Sequence, residues 1–329
     1  MNIQTIANKV FQLEQSADFE QLALEIFRYQ YVHVPVYGDF CKQLAVVPDA
    51  IKSLEQIPFL PVDFFRTHRV SSKPEKVKLV FSSSGTTGAS TSFHEVPEPA
   101  IYKQSFEKAF HYFYGDIRDY CVLALLPSYL ERQGSSLVYM ADSLIKTSAH
   151  PDSGFYLHDL AGLQQKLVKL KAQGQKTLLL GVTYALLDLA EQFPTAFPEL
   201  IIMETGGMKG QRKEMIREEV HAQLKKAFAV QKIHSEYGMT ELLSQAYSFG
   251  DGIFRCPPWM RILIREMNDP LSLAKTGQSG GINIIDLANI YSCAFIAVQD
   301  IGRSRTDGSF EVLGRYDQAQ IRGCNLLVL

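Results

Sequence analysis

Between residues 120 and 234 the chain alternates short apolar runs with amphipathic stretches. That alternation restricts the fold more than any other feature. The runs at 120–126, 176–182 and 199–203 are strand-length and nearly unbroken, as strands buried on both faces are, and 230–234 reads as a further, more polar strand. Helical periods fall between them, near 136–146, from about 184, and near 211–228. In the last of these Ile216, Val220, Leu224 and Phe228 share one face. Strand, helix and strand in succession predict an α/β unit with mostly parallel strands. Upstream, Phe19, Leu22 and Ile26 recur at helical spacing, as do Phe106, Phe110 and Phe113, while Val77, Leu79 and Phe81 mark a strand. After about residue 250 Gly-rich turns separate apolar runs at 260–264, 281–285, 294–298, 310–313 and 320–322. This second texture predicts a β-rich region over about 251–329. No Pro/Ser linker or charge run divides the two, so residues 1–329 are expected to form a single large domain, with the α/β part over about 1–250.

Charge and length exclude several functions. Lys and Arg number 33 against 35 Asp and Glu, a net charge of -2. No field for a nucleic acid or an anionic membrane follows. Membrane spans need about 20 apolar residues in a row, and the run from Cys121 to Leu126 is short of that. The first residues lack the basic and apolar regions of a signal peptide. The five cysteines, at 41, 121, 256, 293 and 324, are odd in number and form no C-x-x-C. Neither a disulfide scaffold nor a zinc site is expected, and a reducing cytoplasm is the expected setting.

Two segments carry chemistry. From Ser82 to Ser92 eight of eleven residues are Ser or Thr and two are Gly. Glycine lets backbone approach a ligand closely; consecutive N–H groups and hydroxyls then make an anion-binding concavity, with a phosphate chain as the natural guest. In isolation such a run reads as a flexible surface loop; its place directly after a strand favours the ligand. It is no Walker A loop, since that spacing and its lysine are missing. The second segment is Tyr237-Gly238-Met239-Thr240-Glu241, at a strand end, where open α/β sheets place ligands. One turn there offers an aromatic face, a hydroxyl and a carboxylate, suited to a base, a phosphate and Mg²⁺. Alone, the pentapeptide is equally a turn and a helix start capped by Thr240.

Together, and in this order about 150 residues apart, the two segments resemble the adenylate-forming ligases, which join ATP to a carboxylate. Further likenesses are Asp300 in Gln299-Asp300-Ile301-Gly302, Arg315 in Gly314-Arg315-Tyr316-Asp317, and Gly206-Gly207-Met208-Lys209. The branch resembled is the LuxE-like acyl-protein synthetases. Leu126-Pro127-Ser128-Tyr129, Gly134-Ser135-Ser136-Leu137, Ser235-Glu236 and the ending Ile321-Arg322-Gly323-Cys324-Asn325-Leu326 carry that likeness.

The resemblance implies ATP and Mg²⁺ as cofactors and a carboxylic, fatty acid as substrate. Ser83, Ser84, Gly85, Thr86, Thr87 and Gly88 would hold phosphates. Gly206 and Gly207 would pack on adenine, with Tyr237 and Gly238 beside it. Asp300 would accept from the ribose hydroxyls, and Arg315 lies near the end of the large domain. Thr240 would meet the α-phosphate and Glu241 would hold Mg²⁺. Cys324 would take the acyl group as a thioester and pass it to an acyl reductase or acyltransferase. Tyr129, Ser135, Ser136 and Thr183 follow predicted strands and are candidates for the acyl pocket. Two departures accompany the likeness. The chain stops soon after Arg315, so the usual small lid domain and its lysine are expected to be absent, as in the acyl-protein synthetases. The phosphate loop also lacks a following Pro-Lys, which leaves Lys209 and Arg315 as candidate phosphate cations, with simple solvation the alternative for Lys209. Two further readings stay open: a coenzyme A ligase of the phenylacetate type, and a nucleotide- or acyl-binding module without catalysis. Cys121, Cys256, Cys293 and Trp259 read as packing residues; His234 reads equally as a hydrogen-bonded structural histidine or as a contact to nucleotide or acyl group.

Overall fold

The structure, a computed structural model, describes residues 3–13, 16–83, 91–127, 131–206 and 215–316. The chain opens with helices α1 (Ile3–Val10), α2 (Ser16–His33) and α3 (Pro35–Gln43). The short strand β1 (Leu60–Pro61), helix α4 (Phe64–Thr67) and the hairpin strands β2 (Leu79–Ser82) and β3 (Phe93–Val96) follow. The α/β part then runs α5 (Pro99–Tyr114), β4 (Cys121–Leu125), α6 (Ser136–Ser148), β5 (Gly154–Phe155) and α7 (Leu160–Ala172). It continues with β6 (Thr177–Gly181), α8 (Thr183–Gln192), β7 (Ile201–Glu204), α9 (Arg217–Phe228) and β8 (His234–Tyr237). Strands β9 (Ala246–Ser248), β10 (Ile253–Arg255), β11 (Met260–Arg265), β12 (Ser279–Asp286), β13 (Phe295–Ser304) and β14 (Phe310–Arg315) complete the described chain.

One sheet contains twelve of these strands, in the order β11-β12-β13-β14-β10-β9-β8-β7-β6-β4-β5, with β1 against β13. From β5 to β8 every pairing is parallel. Strands β4 and β6 are buried at every residue, because helices on both faces exclude water from them. Beyond β8 the pairing turns antiparallel and stays so out to β11. The α/β architecture with a β-rich C-terminal part is therefore as expected. Strand β8 is the seam, pairing in parallel with β7 and antiparallel with β9, and a ligand site belongs at such a change of pattern.

One expected boundary moves. The strand read at 230–234 lies instead at His234–Tyr237, paired by Met203 opposite His234 and Glu204 opposite Ser235. Val230 and Ile233 are buried apolar residues of the connection that follows the left-handed Ala229. Tyr237 thus ends the strand rather than following it.

The N-terminal helices are anchored to the β-rich part. The buried Gln30 amide donates to the carbonyls of Asn289 and Ile290, both at 2.9 Å, and accepts from the Ala294 N–H at 3.0 Å. Phe27 and Tyr37 pack on Phe295. Trp259, as expected, packs: its indole N–H points at the hydroxyls of Ser105 and Ser244. His234 does likewise, 3.1 Å from the Tyr114 hydroxyl. Among the described residues no helix is long and apolar enough to cross a membrane.

Candidate active site

A cleft of about 380 Å³ opens at the end of β8. The β2–β3 hairpin closes it on one side. There the Ser83 N–H donates to the Ser92 carbonyl at 3.1 Å, and the Ser92 N–H donates to the Ser83 hydroxyl at 2.9 Å. These two bonds pinch together the ends of the loop that follows β2. Ser83 and Ser92 both line the cleft; Ser84, Gly85, Thr86, Thr87 and Gly88 lie outside the described residues. Opposite stands the turn after β8, with Gly238, Thr240 and Glu241 in the wall. Two backbone-directed contacts, linked by a third between side chains, hold that turn. His94 Nδ1 lies 2.8 Å from the Thr240 carbonyl, so that nitrogen carries the proton. Its Nε2 lies 3.1 Å from Asn289 Oδ1, and Asn289 Nδ2 donates to the Glu241 carbonyl at 2.8 Å. Burial drives the His94 imidazole down to about 4, while the bonds to Thr240 and Asn289 act to raise it.

The third wall comes from β13 and β14, whose register puts Asp300 opposite Arg315. Arg315 Nε lies 3.6 Å from Asp300 Oδ1, and the Tyr237 hydroxyl donates to Asp300 Oδ2 at 2.8 Å. The Tyr237 ring is wedged edge-on between Phe254 and Phe310, so it positions Asp300 from behind. Beneath them runs Arg265, 8% exposed, which donates to the carbonyls of Ile282 and Val298 at 2.6 Å. Gly281 makes room for it, since a Cβ there would collide with the guanidinium. Burial raises the Asp300 carboxyl, and the Tyr237 hydroxyl, Arg315 and Arg265 pull it back. If the cleft takes ATP, as the resemblance implies, Tyr237→Phe is expected to weaken its binding about tenfold, the size of one hydrogen bond to a charged acceptor. Unchanged ATP affinity in an equilibrium titration would reduce the hydroxyl to a packing feature.

Several wall residues were not anticipated. Arg66, on α4, reaches the cleft while paired to Asp63 at 2.9 Å. Asp63 accepts from Gln299 Nε2 at 2.8 Å, and Gln299 Oε1 accepts from Arg315 at 3.3 Å. A continuous polar chain thus joins Arg66 to Asp300 across more than 230 residues of sequence. Arg132, Glu236 and Gln245 also line the cleft. For Glu236 the signal was its place beside the Tyr237 turn; for Arg66 no local signal existed.

Ser135 and Ser136 line the cleft as expected. Ser135 also caps α6, accepting from the Val138 N–H. Gly206 follows β7 with φ of 74°, a left-handed conformation that suits glycine, and its neighbour Thr205 lines the cleft. Thr183 is a correction, because it is not in the cleft wall. Its hydroxyl donates to the buried Glu204 at 3.1 Å, and Ser235 and His221 meet the same carboxylate. That cluster holds α8, α9 and β8 against the end of β7. Gly207, Lys209, Tyr129 and Cys324 lie outside the described residues.

Glu241 is 6% exposed and enters no ion pair among the described residues. Burial raises its carboxyl, while the Ser92 hydroxyl, Arg66 and Arg315 act to lower it. No three His, Cys, Asp or Glu side chains cluster to hold a metal among the described residues. A lone carboxylate fits Mg²⁺ where phosphate oxygens and water can complete its ligands.

Residues 9–123 match the family described as acyl-protein synthetase, LuxE. The matched residues include the Ser82–Ser92 segment and end before the Tyr237 turn, Asp300 and Arg315. The matched segment supplies Arg66, Ser83, Ser92 and Tyr102 to the cleft. The long-chain-fatty-acid–luciferin-component ligase of Photorhabdus luminescens is 34% identical over 76 residues, which are 23% of this chain and 65% of that relative. The matched stretch thus spans just under two thirds of the relative's length. Among solved structures, an open conformation of 2-hydroxyisobutyryl-CoA ligase in complex with 2-HIB-AMP and CoA superposes with a TM-score of 0.70. It is 14% identical and covers 93% of this chain and 76% of its own. ATP-bound MatB from Rhodopseudomonas palustris gives a TM-score of 0.54 at 15% identity, over 73% of this chain and 48% of its own. The chain shares the fold of these structures.

Proposed function

We propose that this protein activates a carboxylic acid of the fatty-acid class with ATP and delivers the acyl group to a thiol. The observation that carries the reading is convergence. Ser83, Thr240, Glu241, Asp300 and Arg315, scattered over more than 230 residues, line one cleft. A carboxylate oxygen attacks the α-phosphorus, the bond to the bridging oxygen breaks, and pyrophosphate leaves. The product acyl-adenylate has AMP as a good leaving group. Asp300, held by Tyr237 and Arg315, accepts from the ribose hydroxyls and fixes the nucleotide. Ser83 and Thr240 supply hydroxyls to the phosphates, and Arg66 and Arg315 bring positive charge near the developing negative charge. Glu241 would hold Mg²⁺, which supplies charge neutralisation on the phosphates.

In the second step a thiolate attacks the acyl carbon, the carbon–oxygen bond to AMP breaks, and a thioester forms. Cys324 is the proposed acceptor, and an acyl reductase or acyltransferase the proposed recipient. The other cysteines are poor candidates. Burial pushes the Cys41 thiol up to about 12 and Cys121 to about 11, and raises Cys256 and Cys293 further.

The test is incubation with ATP, Mg²⁺ and labelled fatty acid. Acid-stable label released by neutral hydroxylamine is expected on the wild type. Cys324→Ser should lose that label while ATP–pyrophosphate exchange persists. Label retained on the serine variant would assign another acceptor, and acyl-CoA formed on adding coenzyme A would make the soluble thiol the acceptor.

A further inference from the structure

Glu236 and Gln245 are two adjacent polar side chains of the cleft wall to which the chemistry above gives no role. They meet under the bend at Gly238. A Cβ at that position would collide with Glu236 Oε1 and lie 3.3 Å from Gln245 Cγ, so glycine is what admits them. Antiparallel pairing of β8 with β9 fixes the arrangement, with Glu236 opposite Tyr247 and Tyr237 opposite Ala246.

Neither group is satisfied. Gln245 is 3% exposed, and its amide oxygen accepts no hydrogen bond. The Glu236 carboxyl makes no hydrogen bond or ion pair among the described residues. The neighbouring Tyr102 hydroxyl is already committed, donating to the Ser136 carbonyl at 3.0 Å. A buried acceptor without a donor is costly, and native proteins keep one chiefly where a function needs it; Gln245 Oε1 is such an acceptor, and the half-buried Glu236 carboxyl stands beside it. With nothing to offset its burial, Glu236 is pushed up to about 8. The apolar members of the wall, among them Leu137 and Met140, offer no donor.

We infer that Glu236 and Gln245 read a hydrogen-bond donor on the chain of the acid substrate, a hydroxyl or an amine. The inference rests on the proposed acid activation and names the class of acid. A donor on the bound chain satisfies Gln245 Oε1 and the Glu236 carboxyl together. A plain alkyl chain leaves Gln245 Oε1 unpaired, and a site built to hydrogen-bond a substrate group discriminates strongly against the analogue lacking it.

The experiment measures ATP–pyrophosphate exchange with the full chain and matched acids. The panel is butanoate and hexanoate, their 3- and 4-hydroxy and 3- and 4-amino derivatives, and tetradecanoate. At least one hydroxy or amino acid should exceed its unsubstituted parent by about 10- to 100-fold in kcat/KM; which of the two classes wins identifies the donor. In Glu236→Leu and Gln245→Leu that ratio should fall towards one. Glu236→Gln and Gln245→Met serve as milder variants, and ATP binding and thermal unfolding report whether each is folded. Unsubstituted acids used as well as or better than every donor-bearing partner would overturn the inference and leave acid activation standing. An undiminished ratio in folded variants would also overturn it. Exchange with no acid at all would instead bring down the proposed activation, and the inference with it.

Discussion

Glu241→Gln is expected to slow ATP–pyrophosphate exchange by about 10²- to 10³-fold, the usual loss when a preorganised charge partner of the reacting phosphate is removed. The substitution keeps shape and removes one negative charge. Glu241 makes no ion pair among the described residues, so no buried cation is orphaned and the fold should survive. The turn is held through backbone carbonyls: His94 at Thr240 and Asn289 at Glu241. The side chain can therefore change without releasing it. Raising the Mg²⁺ concentration should recover part of the rate in Glu241→Gln and little in the wild type. An exchange rate near wild type at all Mg²⁺ concentrations would remove the carboxylate from phosphate chemistry.

The parts of this fold legible in the sequence are those where one local pattern has one cause. Strands β4 and β6 read directly because both faces are covered and every residue is apolar or small. The strand before the Tyr237 turn was misplaced because Val230 and Ile233 are as buried as strand residues while belonging to a connection. Polar Ser235 and Glu236 conceal the real strand, since their side chains serve a carboxylate cluster and the cleft. Thr183 misled for a related reason. It follows a strand, as site residues often do, but the Glu204 end of the parallel neighbour takes its hydroxyl. The chain from Arg66 through Asp63 and Gln299 to Arg315 was not legible, because its links are side-chain contacts between distant segments. A motif gives the residues that meet a ligand; it does not give those that hold them.

Glu236→Gln should make the protein more stable at pH 8 and its stability less dependent on pH than that of the wild type. The carboxyl ordinarily releases its proton near 4.5, but in the folded protein burial holds it up to about 8. Between those values the native state keeps a proton that the unfolded chain has lost. Stability is thus fully present below about 4.5 and declines as pH rises through the folded value, by about 1.4 kcal/mol per pH unit. Asp286, pushed up to about 6 by burial, adds a similar decline at lower pH. His94 and His234, lowered to about 4 by burial, act in the opposite sense below about 6.5, because the unfolded imidazoles bind protons there. From about pH 6.5 to 8 the Glu236 contribution should therefore dominate. Glutamine imitates the neutral carboxyl and cannot ionise. Denaturant titrations should show the wild type losing stability across that window while Glu236→Gln stays nearly level, the two converging towards pH 5. Parallel curves for the two proteins would mean that Glu236 ionises normally in the fold, and that the cleft already supplies it with a partner.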